Sequence, residues 1–322
     1  MTAMTRRVVA LLEEGVRDGI FPAAAVWVGD ADRELLNLTV GNANLTSLFD
    51  LASLTKPMAV ASLAMTAVAD GALSLDDTIG PDDLSLAMLL GHRGGFPAHL
   101  RFPSSLDRSE AQALVWQSRR NTSECVYTDL GYMALGWFLE SRLGQPLNRA
   151  VQAVTRARFG PDIDDPSRCL PTGYSPLRGV VARGEVHDDN CWVLGGVAGH
   201  AGLFGTAADV GSWAQDLLRA YLGSSESTFE GDVVRRFWSL DARPDEASWV
   251  LGFDTPTPPK SSAGHHISPN AVGHLGFTGT SVWIDPNRRR TVILLTNRVA
   301  STAGHSGIKR FRPRLHNAIL QQ

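Results

Sequence analysis

Apolar residues at Val8, Val9, Leu11, Leu12 and Val16 fall on one stripe at helical spacing, so residues 2–18 are expected to form an amphipathic helix. The pattern then shortens. Residues 23–28 are a compact apolar run closed by Gly29-Asp30, and residues 34–40 are a second, which predicts two strands joined as a hairpin. From Ser53 the chain becomes almost uncharged and rich in Ala, Met and Leu as far as Asp70-Gly71, as a buried central helix would be. The spacing predicts further helices over 84–90, 109–117, 130–143 and 147–157. Residues 161–183 are rich in Pro, Gly and Asp and read as a long surface connection. Beyond residue 205 the pattern predicts a helix over 206–221, strands at 249–253, 272–276, 280–284 and 291–296, and a closing helix over 308–320.

Strands at both chain ends with helices between them predict an α+β fold. One antiparallel sheet is built from both ends, the terminal helices cover one face, and the middle forms an all-helical lobe. The expected organisation is a single domain over 1–322, with an α/β subdomain from 1–71 and 205–322 and a helical subdomain from 72–204. A site is expected in the cleft between the lobes.

Composition narrows the function classes. The net charge of -3 over 322 residues leaves no electrostatic footprint for nucleic acid and no polybasic membrane patch. Arg288-Arg289-Arg290 follows Asp285-Pro286-Asn287 between two expected strands and reads as a solvated hairpin turn. The three cysteines, Cys125, Cys169 and Cys191, have neither pairing nor metal-ligand spacing, and a reduced compartment fits them. Glu13, Glu14, Arg17 and Asp18 interrupt the first segment, so it reads as a helix and not an export signal. No unbroken run approaches the roughly 18 apolar residues of a membrane span. The expectation is a soluble, cytoplasmic protein with a small-molecule substrate, no cofactor and no nucleic-acid or membrane partner.

The first chemical signal is Ser53-Leu54-Thr55-Lys56. On a helix the hydroxyl and the amine lie on one face, and a neutral lysine can take a serine's proton. Ser53 also falls where a strand-like run turns into a helix, whose backbone N–H groups favour developing negative charge. Lys56, in the first turn of a buried helix, is expected to be desolvated and its pKa lowered, which makes it a usable base.

The stretch from Phe49 to Lys56 resembles the nucleophile segment of the class C β-lactamases, low-molecular-mass penicillin-binding proteins and related esterases and D-amino-acid peptidases. That superfamily carries a Tyr-x-Asn and then a Lys-Thr-Gly or His-x-Gly motif. Tyr127-Thr128-Asp129 is similar to the former and His274-Leu275-Gly276 to the latter. Leu89 to Pro97 and Gly195 to Phe204 resemble two further family segments, so the likeness spans about residues 20–320. The resemblance implies a serine hydrolase with a β-lactamase/DD-peptidase-like fold. It implies Ser53 as nucleophile, Lys56 and Tyr127 as proton relay, and the amides of Ser53 and Phe277 as oxyanion hole. Asp129, His274 and Gly276 would line the substrate.

Two positions depart from the pattern. Asp129 stands for the usual Asn, which turns a potential donor into an acceptor, and His274 stands for the lysine of β-lactamases and most transpeptidases. Both favour a small ester or amide, as in the family's esterases and D-amino-acid hydrolases, over β-lactamase or DD-carboxypeptidase action proper. Rival readings are a metal hydrolase using Glu185, His187, Asp188, Asp189 and His200, and a non-catalytic ligand sensor on the same fold. Asn297 and Arg298 either touch a substrate carboxylate or form a strand-end turn.

Overall fold

A computed structural model of the protein describes residues 2–122, 124–244, 247–301 and 304–321. The strand β1 (Ala23–Gly29) is buried along its whole length, which explains why its sequence is an apolar run without alternation. Ala24, Val26 and Val28 point to one face and join a core with Val8, Leu12, Phe311 and Leu315. Ala25 and Trp27 point to the other and join the larger core, with Met58, Leu63 and Trp213.

Those two cores define the layers. The helices α1 (Ala3–Arg17) and α5 (Gly304–Leu320) cover the outer face, and α4 (Ala207–Tyr221) packs on the inner one. The sheet is antiparallel throughout. β3 (Val272–Leu275), β4 (Ser281–Asp285), β5 (Arg290–Thr296), β1 and β2 (Glu34–Gly41) lie side by side in that order. Ala24 pairs with Thr296 and Val282 with Ile293, so the last strand of the chain sits at the centre with the first strand beside it.

The central helix changes geometry as it goes. A 3-10 turn (Ala52–Leu54) leads into a π-helical turn (Lys56–Ala61) and then into α2 (Ser62–Ala69). Pro57 has no N–H, and the Ser62 amide and hydroxyl both donate to the Pro57 carbonyl. Trp213 Nε1 donates to the same hydroxyl at 2.9 Å and ties α2 to α4. The stretch Ala52–Ala69 is long and apolar enough to cross a membrane, against the sequence reading that no segment comes close, yet 78% of it is buried inside the protein. Its apolarity is that of a core helix.

The middle of the chain is more varied than an all-helical lobe. Its long helix, α3 (Asp129–Leu143), is capped by Thr128, whose hydroxyl accepts from Leu130 N. Around it are short ribbons, Thr78–Ile79 with Leu84–Ser85 and Gly173–Ser175 with Val180–Ala182. The latter lies inside the expected surface connection. Residues 147–157 were expected to be one helix, but Leu147–Ala150 gives way to a 3-10 turn at Val151–Ala153. Phe49–Asp50, Leu203–Gly205 and Arg158–Phe159 form a small second sheet. Residues 249–253 are not a strand: Trp249 makes only an isolated bridge to Asp254. Gly231–Phe237 is a helix the pattern did not reveal, being only seven residues long.

Candidate active site

The turn before Ser53 is built by Asp50. Its carboxylate accepts from Ala52 N at 2.9 Å and from His187 N at 2.8 Å. Burial raises the Asp50 pKa, with those two amides pulling the other way. Ala52 takes φ 49°, a left-handed conformation uncommon outside glycine, so backbone strain is concentrated immediately before Ser53.

Lys56 is the hub. It is fully buried, and its Nζ lies 3.0 Å from Ser53 Oγ, 2.8 Å from Tyr127 Oη and 2.7 Å from Asp129 Oδ1. The three sequence candidates, 71 and 73 residues apart in the latter two cases, therefore meet at one nitrogen. Burial alone would lower the Lys56 pKa, as the sequence reading expected, but Asp129 and Tyr127 outweigh it and raise it. That expectation is corrected: the resting amine is an ammonium, because a carboxylate occupies the family's amide position. Asp129 in turn, although burial pushes its pKa up, is held far below the usual carboxylate range by Lys56. Its second oxygen lies 3.6 Å from Nδ1 of the half-exposed His99, an ion-pair separation longer than an ordinary hydrogen bond. The Tyr127 phenol is raised by burial despite Lys56, so it rests neutral.

An aromatic wall surrounds the relay. Trp249 stacks on Tyr127 with ring centres 4.9 Å apart, and His92 and His274 each contact both rings. His274 is buried, and its Nδ1 donates to the Leu275 carbonyl at 2.8 Å, which leaves a lone pair on Nε2. That nitrogen has no hydrogen-bond partner among the described residues. Burial, with Lys56 nearby, pushes the His274 pKa down to about 3. His274 is thus a neutral acceptor and cannot replace a lysine as an anion anchor.

The turn after His274 is sewn to the nucleophile segment. Thr278 Oγ1 donates to Asp50 O at 2.8 Å and Thr280 Oγ1 to Leu51 O at 3.2 Å. Arg312 clamps the turn from below, donating at 2.8 Å to both Gly276 O and Thr280 O, and burial pushes its pKa down to about 9. Gly276 has no room for a side chain: a Cβ there would lie 2.8 Å from Leu51 O and 2.0 Å from Thr280 Oγ1. Its place in the site is to permit close backbone approach. Phe277 stands at the rim, more than half exposed, with the His187 ring stacked at 6.1 Å and the Arg298 guanidinium 4.6 Å from its ring centre.

Several polar residues of the middle segment are engaged with one another or with backbone. His200 Nε2 contacts Asp188 Oδ1 at 2.9 Å, while the His200 carbonyl lies 3.5 Å from Lys56 Nζ. Asp188 also caps a helix at Cys191 N, Asp189 accepts from Ser175, and Glu185 pairs with Arg178. Asn297 spends its amide on Ala23 N and Pro171 O, which is the strand-end reading. Sequence reasoning missed Trp249, His92 and His99. His92 lies in a segment matched to the family without an assigned role, and Trp249 was placed on a strand.

A strained turn presenting a serine to a buried lysine and tyrosine, beside the edge strand of a sheet built from both chain ends, defines the class of β-lactamase-fold serine hydrolases. The chain matches the Beta-lactamase family over residues 8–312 and belongs to it. It is 29% identical over 308 residues to an Escherichia coli K12 protein named "Putative D-alanyl-D-alanine carboxypeptidase", covering 78% of this chain and 69% of that one. A Pyrococcus abyssi octameric penicillin-binding protein homologue has a similar fold, with a TM-score of 0.75 at 16% identity over 99% of this chain and 78% of the other. A class C β-lactamase from Rhodobacter sphaeroides gives 0.72 at 19% identity over 98% of both chains. EstCE1, described as a hydrolase with promiscuous acyltransferase activity, gives 0.72 at 16% identity over 98% of both chains. The protein is a serine hydrolase with the fold these chains share.

Proposed function

We propose that the protein hydrolyses small esters or amides through an acyl-enzyme on Ser53. The observation that carries this reading is the single nitrogen, Lys56 Nζ, within hydrogen-bond distance of Ser53 Oγ and Tyr127 Oη. In the productive form Lys56 is a neutral amine. It takes the Oγ proton as Ser53 adds to the substrate carbonyl carbon, and passes a proton to Tyr127 as Tyr127 gives its own to the leaving oxygen or nitrogen. The developing oxyanion accepts hydrogen bonds from the amides of Ser53 and Phe277. Water then attacks the acyl carbon and gives up a proton through the same groups, which releases the acid and restores Ser53.

The electrostatics support a substrate without a required carboxylate. Asp129 already neutralises the Lys56 ammonium, and His274 offers a lone pair where the resemblance implies a lysine in β-lactamases and most transpeptidases. D-Ala-D-Ala carboxypeptidase action is the alternative, favoured by the relatives' names. Intact-mass spectrometry after fluorophosphonate treatment tests the nucleophile: the wild type should gain one adduct and Ser53→Ala none. An adduct persisting in the alanine variant would move the nucleophile elsewhere. A D-Ala-D-Ala peptide turned over faster than p-nitrophenyl esters would select the alternative.

A further inference from the structure

His92 has been given no role so far, and three observations converge on it. Its backbone sits at φ 59°, a strained conformation for a residue with a β-carbon. Its carbonyl accepts from Val126 N at 3.1 Å and its ring Nδ1 accepts from Thr128 N at 3.1 Å. One residue thus grips the chain on both sides of Tyr127. Its ring, 1% exposed, packs against Tyr127, Tyr132 and Trp249 with centres 4.7–4.9 Å apart. The neighbouring backbone reinforces the grip: Leu90 O accepts from Tyr132 Oη at 2.9 Å and from Gly252 N at 3.2 Å.

We propose that His92 is a positioning residue for the reaction proposed above, a two-point clamp that holds residues 126–128 so that Tyr127 and Asp129 both reach Lys56. The inference rests on that reading for its catalytic consequence, but the clamp itself does not. The ring acceptor matters more than the ring's bulk. Thr128 is the N-cap of α3, its φ of -137° turning the chain from the extended segment into the helix. Without Nδ1 the Thr128 N–H is buried and unpaired at that turn, and Tyr127 and Asp129 flank it directly. Because Lys56 Nζ meets both side chains at 2.7–2.8 Å, a shift of about 1 Å in this loop breaks the contact, a misplacement that costs on the order of 10²-fold in rate.

Two variants separate acceptor from ring. His92→Phe keeps an aromatic ring and loses the acceptor. His92→Asn loses the ring but keeps an oxygen near the Nδ1 position and tolerates positive φ. Hydrogen exchange over residues 124–130 should accelerate in His92→Phe and stay close to wild type in His92→Asn. With p-nitrophenyl acetate, kcat should fall about 10–100-fold in the phenylalanine variant while KM changes little, and asparagine should restore most of the loss. Where His92→Phe does not fold, His92→Gly removes the acceptor while relaxing the backbone and should show the same losses. A folded phenylalanine or glycine variant with wild-type exchange and wild-type kcat overturns the proposal, as does an asparagine variant no better than phenylalanine. The exchange measurement involves no catalysis, so a clamp that holds while Ser53→Ala retains activity would indict the reading of the site and leave the clamp intact.

Discussion

At the residue scale the decisive substitution is Asp129. A buried lysine would lose its proton readily, but a carboxylate 2.7 Å away holds it. If neutral Lys56 is the base, the rate should climb towards alkaline pH. Asp129→Asn removes the largest of the influences that raise the Lys56 pKa, so the rising limb should move to lower pH and acylation near pH 7 should speed up. A pH–rate profile of kcat/KM for a neutral ester checks this, and an unmoved limb would show that Lys56 is not the titrating base. Lys56→Ala strands the carboxylate, which should cost about 3–5 kcal/mol, whereas Lys56→Met with Asp129→Asn should recover much of that in urea unfolding. Tyr127→Phe should lower kcat by about 10²–10⁴-fold, and combining it with Lys56→Ala should cost far less than the product of the two losses.

Elements matter because the site is assembled from short pieces that only neighbours hold in place. The 3-10 turn at Ala52–Leu54, the turn after β3 and the loop before α3 each carry candidate groups, and each is pinned by buried side chains: Asp50 for the first, Thr278 and Arg312 for the second, His92 for the third. Gly276 is where two of them touch. Gly276→Ala drives a methyl into Leu51 O, a backbone atom that cannot swing aside, so the turn must retreat from Ser53. The expected outcome is a folded protein with kcat down by about 10²-fold or more, read by circular dichroism and ester hydrolysis together.

For the whole molecule, acid is the sensitive direction. His274 is pushed down to about 3 and His316 to about 4 by burial, both far below their unfolded values near 6.5. Below about pH 6.5 the unfolded chain binds protons that the folded one refuses, so stability should fall as the pH drops from there towards 4. His316 lies away from Lys56, its Nδ1 donating to Ser262 O and its Nε2 facing Ser281 Oγ at 3.2 Å. In His316→Gln the slope of unfolding free energy against pH over that range should lessen by about one proton's worth, with esterase activity unchanged. An unaltered slope would show that His316 is protonated in the native protein.

Much of this was legible along the chain because it is written in local signals. Short apolar runs bounded by turn residues gave the sheet from both ends, with every strand of the main sheet placed to within about two residues, and the almost uncharged run after Ser53 announced a central core helix. Ser53 and Lys56 could be singled out because a serine and its base need a particular spacing, and Tyr127 because its segment resembles the family's second motif. Charge state was not legible: whether burial or Asp129 governs Lys56 depends on a separation across 73 residues, which only folding sets. Trp249 looked like a strand residue because apolar runs do not say what they pack against, and its place on Tyr127 comes from the Gly252–Leu90 contact. His92 carried no signal of its own. Its meaning lies in which two amides its carbonyl and ring nitrogen meet, and hydrogen bonds between distant segments are decided by packing. Sequence determined the elements and the candidate chemistry. Tertiary structure alone decided the protonation of the lysine and the clamp on the tyrosine, because both depend on distances between residues far apart in the chain.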